Sequence, residues 1–231
     1  MCIMDIMRAI EILQYLQQNH ITVFTTNDLS RIIDKSIVYT RKIVGRLPGI
    51  MKAERGVFYT EQANIYEISS NIVPFSYVSM LAALRYYDIT TQMPIAISVI
   101  SPKRHRAVKI KGYKIEFTTF KRNLIFGYVR RGNAFIAEPE KALLDSLYYG
   151  DYAYLDEALL RGVREGLVNI DKMVGYAQRF NKKALINKLG FFLEFYCGTA
   201  RDDLLGHRSA GPVYLAKGLT RYDKKWRVHY G

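Results

Sequence analysis

Six basic side chains between residues 35 and 55 (Lys35, Arg41, Lys42, Arg46, Lys52 and Arg55) stand against a single acid, Glu54. An arginine fork pairs bidentately with guanine edges or phosphate, and a lysine supplies a point charge for phosphate. Hydroxyls and phenols reach either group. The spacing sorts these residues, because Ser36, Tyr39, Arg41 and Lys42 share one side of a helix whose other side holds Thr40, Ile43, Val44 and Leu47. Thr40 points inward by this spacing but lies close enough to the outer set to be carried with it. The chemistry offered is recognition of a polyanion.

The elements that must position these groups follow from local signals. Thr26 or Asn27 can cap a short helix ending at Ile33, Asp34-Lys35 turn the chain, and Ser36 caps a second helix over 36–47. Pro48-Gly49 stop that helix, and residues 50–60 form two short strands turned around Glu54-Arg55-Gly56, which places Lys52 and Arg55 on a wing. Residues 3–18 read as a supporting amphipathic helix with Ile3, Ile6, Met7, Ile10, Leu13 and Leu16 or Tyr15 on its buried side, closed by Asn19-His20. Together these predict a winged helix-turn-helix with 36–47 as recognition helix, binding DNA through Ser36, Tyr39, Thr40, Arg41, Lys42, Lys52 and Arg55. A helix-turn-helix that contacts protein, with a merely solvated positive face, fits the same residues.

The chain has 231 residues, 49% of them hydrophobic, and a formal net charge of +13, which excludes disorder and favours an acidic partner. Nucleic acid and membrane surface both qualify. No apolar run approaches the ~20 residues of a bilayer span, and Asp5 and Glu11 interrupt the N-terminal apolar stretch, so the expectation is a cytoplasmic protein without a membrane role. Cys2 and Cys197 lack ligand-like spacing, so neither a disulfide framework nor a zinc site is expected.

The charge is concentrated. Residues 101–132 carry ten Lys or Arg against Glu116 alone, whereas 133–200 carry eight against nine acids. After a short 63–68 segment that reads as strand or linker, a boundary is placed near Ser69-Ser70-Asn71, dividing the chain into 1–68 and 69–231. Residues 74–87 read as a helix. From Pro94 the period changes to two, giving strands at 95–101, 107–111, 113–120 and within 124–138. Across Gly112 the alternation sends Val108, Ile110, Ile115 and Phe117 one way and Lys109, Lys111, Lys114 and Glu116 the other. With Lys103, Arg104 and Arg106 nearby, Lys109, Lys111 and Lys114 form a possible second phosphate-binding surface, although lysines on a solvated strand also suppress edge pairing. Helices at 139–149, 152–165, 170–180 and 183–197 follow, then a mixed, basic stretch from Arg201 whose Trp226 and Tyr230 suggest docking. The fold class is therefore α+β, a winged helix-turn-helix followed by a mixed α/β domain with an antiparallel sheet and C-terminal helices.

No phosphate loop, HExxH or paired-cysteine motif is present, so no cofactor, metal or catalytic residue is expected. Asp156-Glu157 and Glu138-Pro-Glu140 could bind magnesium in a nuclease, but both pairs fall at helix starts, where acids stabilise the dipole. His20 reads as a helix-terminal residue and His105 as part of a basic patch. An adaptor that meets an acidic protein or RNA through the basic sheet is the other reading.

Three short motifs add a resemblance: Arg55-Gly56-Val57-Phe58 in the wing, the helix 77–87, and Glu140-Lys141-Ala142-Leu143-Leu144-Asp145. Their order is similar to that of the AbiEi-like antitoxins and transcriptional regulators of type IV abortive-infection toxin-antitoxin pairs, over roughly residues 5–150. Phe58 departs from the usual Tyr, and the basic C-terminus has no counterpart in the pattern. The resemblance implies a regulator of its own promoter that binds inverted repeats in double-stranded DNA, compatible with a homodimer. It also implies an antitoxin that opposes a nucleotidyltransferase-like toxin without needing stable contact with it.

Overall fold

The computed structural model describes residues 3–231, with side chains described from Ala9 onward; the expectations for Cys2 and for the side chains of Ile3, Ile6 and Met7 lie outside it. The chain opens with α1 (Ile3–Gln18), β1 (Val23–Thr25), α2 (Thr26–Ile32), α3 (Ile37–Val44), β2 (Ile50–Glu54) and β3 (Val57–Thr60). The three strands form an antiparallel sheet in the order β1-β3-β2. Gly56 turns β2 into β3 at φ +81, a left-handed conformation that favours glycine. Leu16, Phe24, Leu29, Val44, Leu47 and Phe58 make the core between these helices and the sheet.

Two local expectations shift. The cap of α2 is Thr25, whose hydroxyl accepts from the Asp28 N–H at 3.1 Å while the Asp28 carboxylate accepts from the Thr25 N–H at 2.8 Å. That reciprocal pair satisfies two donors that Thr26 or Asn27 could not satisfy together. On α1 the buried stripe passes through Ala9, Ile12 and Leu16, and Ile10 and Tyr15 face solvent. Aliphatics surround this helix on several sides, so spacing alone did not choose the face.

Residues 63–68 are neither strand nor linker. Asn64 caps α4 (Ile65–Asn71) in a second capping box with Glu67. The position expected for the boundary, 69–71, falls inside this helix, where Ser69 and Ser70 are buried and their hydroxyls donate to Ile65 O at 2.7 Å and Tyr66 O at 2.9 Å.

Next come β4 (Tyr77–Val78), α5 (Met80–Tyr86), β5 (Ala96–Ser101), β6 (Val108–Ile110), β7 (Tyr113–Thr119), β8 (Tyr128–Arg131) and β9 (Ala134–Ala137). Their sheet runs β6-β7-β5-β4-β9-β8. It is mixed, not antiparallel as expected, because β5 pairs parallel with β7 and β4 parallel with β9. The helix expected over 74–87 begins only at Met80. Tyr77 and Val78 lie instead in the middle of the sheet between β5 and β9.

The helical layer follows as α6 (Pro139–Tyr149), α7 (Leu155–Arg164), α8 (Ile170–Phe180) and α9 (Lys183–Cys197). Pro139 opens α6 in the first turn, where its missing N–H costs nothing. Gly150, Asn181 and Gly198 close α6, α8 and α9 in the left-handed conformation. One core cluster joins these helices to the sheet through Tyr77, Ile100, Ile136, Leu144, Phe180 and Leu189. A second joins the sheet to the N-terminal unit, with Tyr59 and Ala63 against Ile68, Val99 and Ile115.

The chain ends in β10 (Val213–Tyr214), β11 (Arg221–Asp223) and β12 (Val228–Tyr230), a small sheet ordered β10-β12-β11 that the sequence did not reveal. Trp226, 1% exposed, fixes it to α9. Its indole N–H donates to Glu194 Oε2 at 2.8 Å and its carbonyl accepts from Asn187 Nδ2 at 2.6 Å. A Cβ on Gly190 would stand 2.1 Å from the Trp226 ring, so only glycine admits the indole there.

Candidate nucleic-acid interface

Helix α3 distributes its polar groups over two sides. Ser36 is its N-cap, and the Ser36 hydroxyl accepts from the Tyr39 N–H at 3.3 Å. Thr40 is fully buried and its hydroxyl donates to Ser36 O at 3.0 Å. It is therefore unavailable as a contact residue, a correction to its place in the predicted set. Arg41 and Lys42 are exposed, and so is Val38, at 64%. Arg41 lies on the Val38 side. Tyr39 and Lys42, joined by Lys35 and Arg46, instead line an open groove of about 560 Å³ between α1 and α3, floored by Ile12, Ile33 and Ile43.

The β2–β3 hairpin carries Lys52 and Arg55 into solvent. Between them Glu54 turns to the opposite unit: its Oε2 lies 2.8 Å from His105 Nε2 and its Oε1 3.8 Å from Arg106 Nε. The other ring nitrogen of His105 lies 2.8 Å from the Arg106 carbonyl oxygen, and the ring packs on Phe117 with centroids 4.6 Å apart. The one acid of the 35–55 stretch is thereby half-buried and paired. Lys52, Arg55, Arg106 and Lys109 line a shared groove of about 510 Å³. The β2–β3 hairpin and the basic residues 106–109, separate in sequence, adjoin.

Within that second surface Lys103, Arg104 and Arg106 occupy the exposed loop before β6. Lys109 and Lys114 stand directly opposite across the β6–β7 pair, and Glu116 pairs with Lys114. Like charges facing across strands repel, so Glu116 offsets part of that repulsion. Lys111 departs from the expectation. At φ +49 it has left the strand alternation, and its ammonium donates to Glu61 O at 2.9 Å and Ala63 O at 2.6 Å. It binds the β6–β7 turn to the segment that follows β3.

The carboxylate pairs weighed for a metal sit apart from this surface. Lys172 bridges Glu138 at 2.8 Å and Glu140 at 3.3 Å. Hydrogen bonds from Lys172 and Tyr176 hold the Glu138 carboxyl below its ordinary range despite its burial. Asp156 and Glu157 occupy the first turn of α7. Among the described residues no group of three potential metal ligands occurs, and no helix is long and apolar enough to cross a membrane.

The Glu54–His105 pair is the part of this surface that sequence reasoning missed. Its partners are 51 residues apart, and only the KRHR run at 103–106 marked one of them as polar surface.

Comparison with known proteins gives the fold a counterpart and no family. No family model and no curated protein matches the chain. A solved structure, that of the RV2827C protein from Mycobacterium tuberculosis, is similar over 94% of this chain and 89% of its own at 12% identity, with a TM-score of 0.55. The chain therefore shares a mixed α+β fold with that protein.

Proposed function

We propose that residues 3–60 are a winged helix-turn-helix and that the protein is a sequence-specific DNA-binding transcriptional regulator. The observation that carries this reading is the arrangement of α2, α3 and the β2–β3 hairpin. A short helix turns directly into a second helix that exposes Arg41 and Lys42, and the hairpin after it exposes Lys52 and Arg55. An arginine on an exposed helix suits base edges in a major groove, and lysines beside it suit phosphates. The groove shared by Lys52, Arg55, Arg106 and Lys109 extends this positive surface onto the second unit and supports one continuous polyanion over two separate partners.

The finer reading, an autorepressing antitoxin of a type IV toxin-antitoxin pair, draws on the motif resemblance. Two of its motifs meet in space, since Tyr77 contacts Lys141 and Asp145. Such a protein would bind inverted repeats upstream of its own operon and oppose a nucleotidyltransferase-like toxin.

The test is a binding titration against the protein's own upstream DNA and a shuffled duplex of equal length at several salt concentrations. With about five phosphates neutralised, log affinity falls against log salt with a slope of roughly 4 to 5, and the upstream duplex binds more tightly. Equal affinity for both duplexes, or binding indifferent to salt, rejects the reading.

A further inference from the structure

The C-terminal sheet has two unlike faces. On the inner face Val213 and Val228 are buried, with Trp226 wedged beneath them against α9. On the outer face three rings stand in one row across the strands, because Tyr214 and Tyr222 both pair in register with His229. The Tyr214 and His229 centroids are 4.3 Å apart with planes 2° from parallel, and Tyr222 lies 4.6 Å from His229 on its other side. The two tyrosines occupy the edge strands and remain 54% and 42% exposed. The row is thus a short aromatic stack with solvent at each end, on a rigid mount.

Its surroundings are cationic. Residues 208–231 carry six basic side chains (Arg208, Lys217, Arg221, Lys224, Lys225 and Arg227) against Asp223 alone. Asp223 accepts the Trp226 N–H at 2.6 Å, and Lys225 is paired with Glu194 and Asp202. Lys217 and Lys224 are exposed and make no ion pair among the described residues, whereas Arg221 alternates to the opposite face with Tyr230.

Free π-faces beside uncompensated cations are what a single strand of nucleic acid requires, bases stacking on the rings and phosphates meeting the ammonium and guanidinium groups. A duplex offers no open base face except at its ends. An ordinary protein patch would not call for so one-sided a charge. We propose that the outer face of the C-terminal sheet binds single-stranded nucleic acid, with a base stacked on Tyr214 or Tyr222 and Lys217 and Lys224 taking the phosphates. This site is separate from the wing and stands whether or not the duplex reading does.

Fluorescence anisotropy of the full chain with labelled 12-mers of uridine and of thymidine, beside a blunt duplex of equal length, tests it. Tyr214→Ala and Tyr222→Ala are each expected to weaken single-strand binding by about tenfold, with Tyr222→Phe close to wild type and duplex binding unmoved. Unchanged Trp226 emission verifies that the sheet is still docked. A Lys217→Glu, Lys224→Glu variant, which leaves the stack intact, lowers the salt dependence of single-strand binding. Wild-type affinity in both alanine variants, or no saturable binding of either 12-mer, overturns the proposal.

Discussion

Lys141 and Asp145, one turn apart on α6, form an ion pair in which both side chains are wholly excluded from solvent. The second oxygen of Asp145 accepts from Ser79 at 2.7 Å and from the Tyr77 hydroxyl at 3.1 Å, and Lys141 donates to that same hydroxyl at 2.8 Å. The rings of Phe180 and Phe126 face the ammonium at 4.6 and 4.9 Å. Burial pushes the Asp145 carboxyl up and the Lys141 ammonium down, each opposed by the charge of the other.

Removing one member leaves an unpaired ion among apolar groups. Lys141→Met or Asp145→Leu is therefore expected to lower unfolding free energy by about 3–5 kcal/mol, whereas the double variant recovers most of the loss. Urea unfolding followed by circular dichroism checks this. Additive losses in the double variant would mean that the two side chains contribute independently and that the ion pair is not the stabilising unit.

Gly190 and Trp226 give a second test. Gly190→Ala places a methyl inside the indole volume, so the ring must leave its slot or α9 must shift. The expected loss is about 1–3 kcal/mol. Because Trp226 is the protein's one tryptophan, red-shifted emission reports its displacement directly. An unshifted spectrum would place the strain in α9.

Acid should loosen the same joint. The Lys225 ammonium and the Trp226 indole N–H hold the Glu194 carboxyl below its ordinary value of 4.5. A carboxyl depressed in the folded state contributes stability above its unfolded pKa, and that contribution is lost as pH falls through the folded value. Trp226 emission should therefore shift below about pH 4.5, and Glu194→Gln should remove the dependence. An identical acid profile in that variant would assign the transition to another group.

On the interface, Arg41→Ala is expected to narrow the preference for specific over random duplex. Lys52→Ala or Lys109→Ala should weaken both alike and reduce the salt slope by about 1. Competition titrations distinguish the two patterns. Thr40→Val should act through helix α3 alone, lowering stability by about 1 kcal/mol with no change in salt slope.

The sequence disclosed α6, α8 and α9 to the residue because Pro139, Asn181 and Gly198 mark their ends by backbone chemistry that needs no tertiary contact. It disclosed the β6–β7 pair through alternation around Gly112. The two-residue β4 was illegible, since so short a strand has no period and its pairing depends on β5 and β9. The C-terminal sheet was illegible for a related reason: its strands span two or three residues, and its anchor requires a glycine 36 positions upstream of Trp226. Lys111 is exposed as the alternation placed it, but its left-handed backbone at the turn brings its ammonium to the Glu61 and Ala63 carbonyls, partners too distant in sequence for any local pattern to mark.

Helix α4 has a consequence for how the molecule can be taken apart. Its capping box, its buried serines and its contacts with Tyr59 and Ala63 on one side and Val99 and Ile115 on the other belong to both units at once. Glu67 accepts from the Thr22 hydroxyl at 3.0 Å, and Asn71 donates to Asn133 O at 2.8 Å, so the helix rivets chain segments on either side of it. A protease acting on the native protein should find no cut here that frees a stable fragment. Expressing residues 1–68 alone would sever the helix before its last turn and bare an apolar surface. Loss of either unit should melt the other in a single transition.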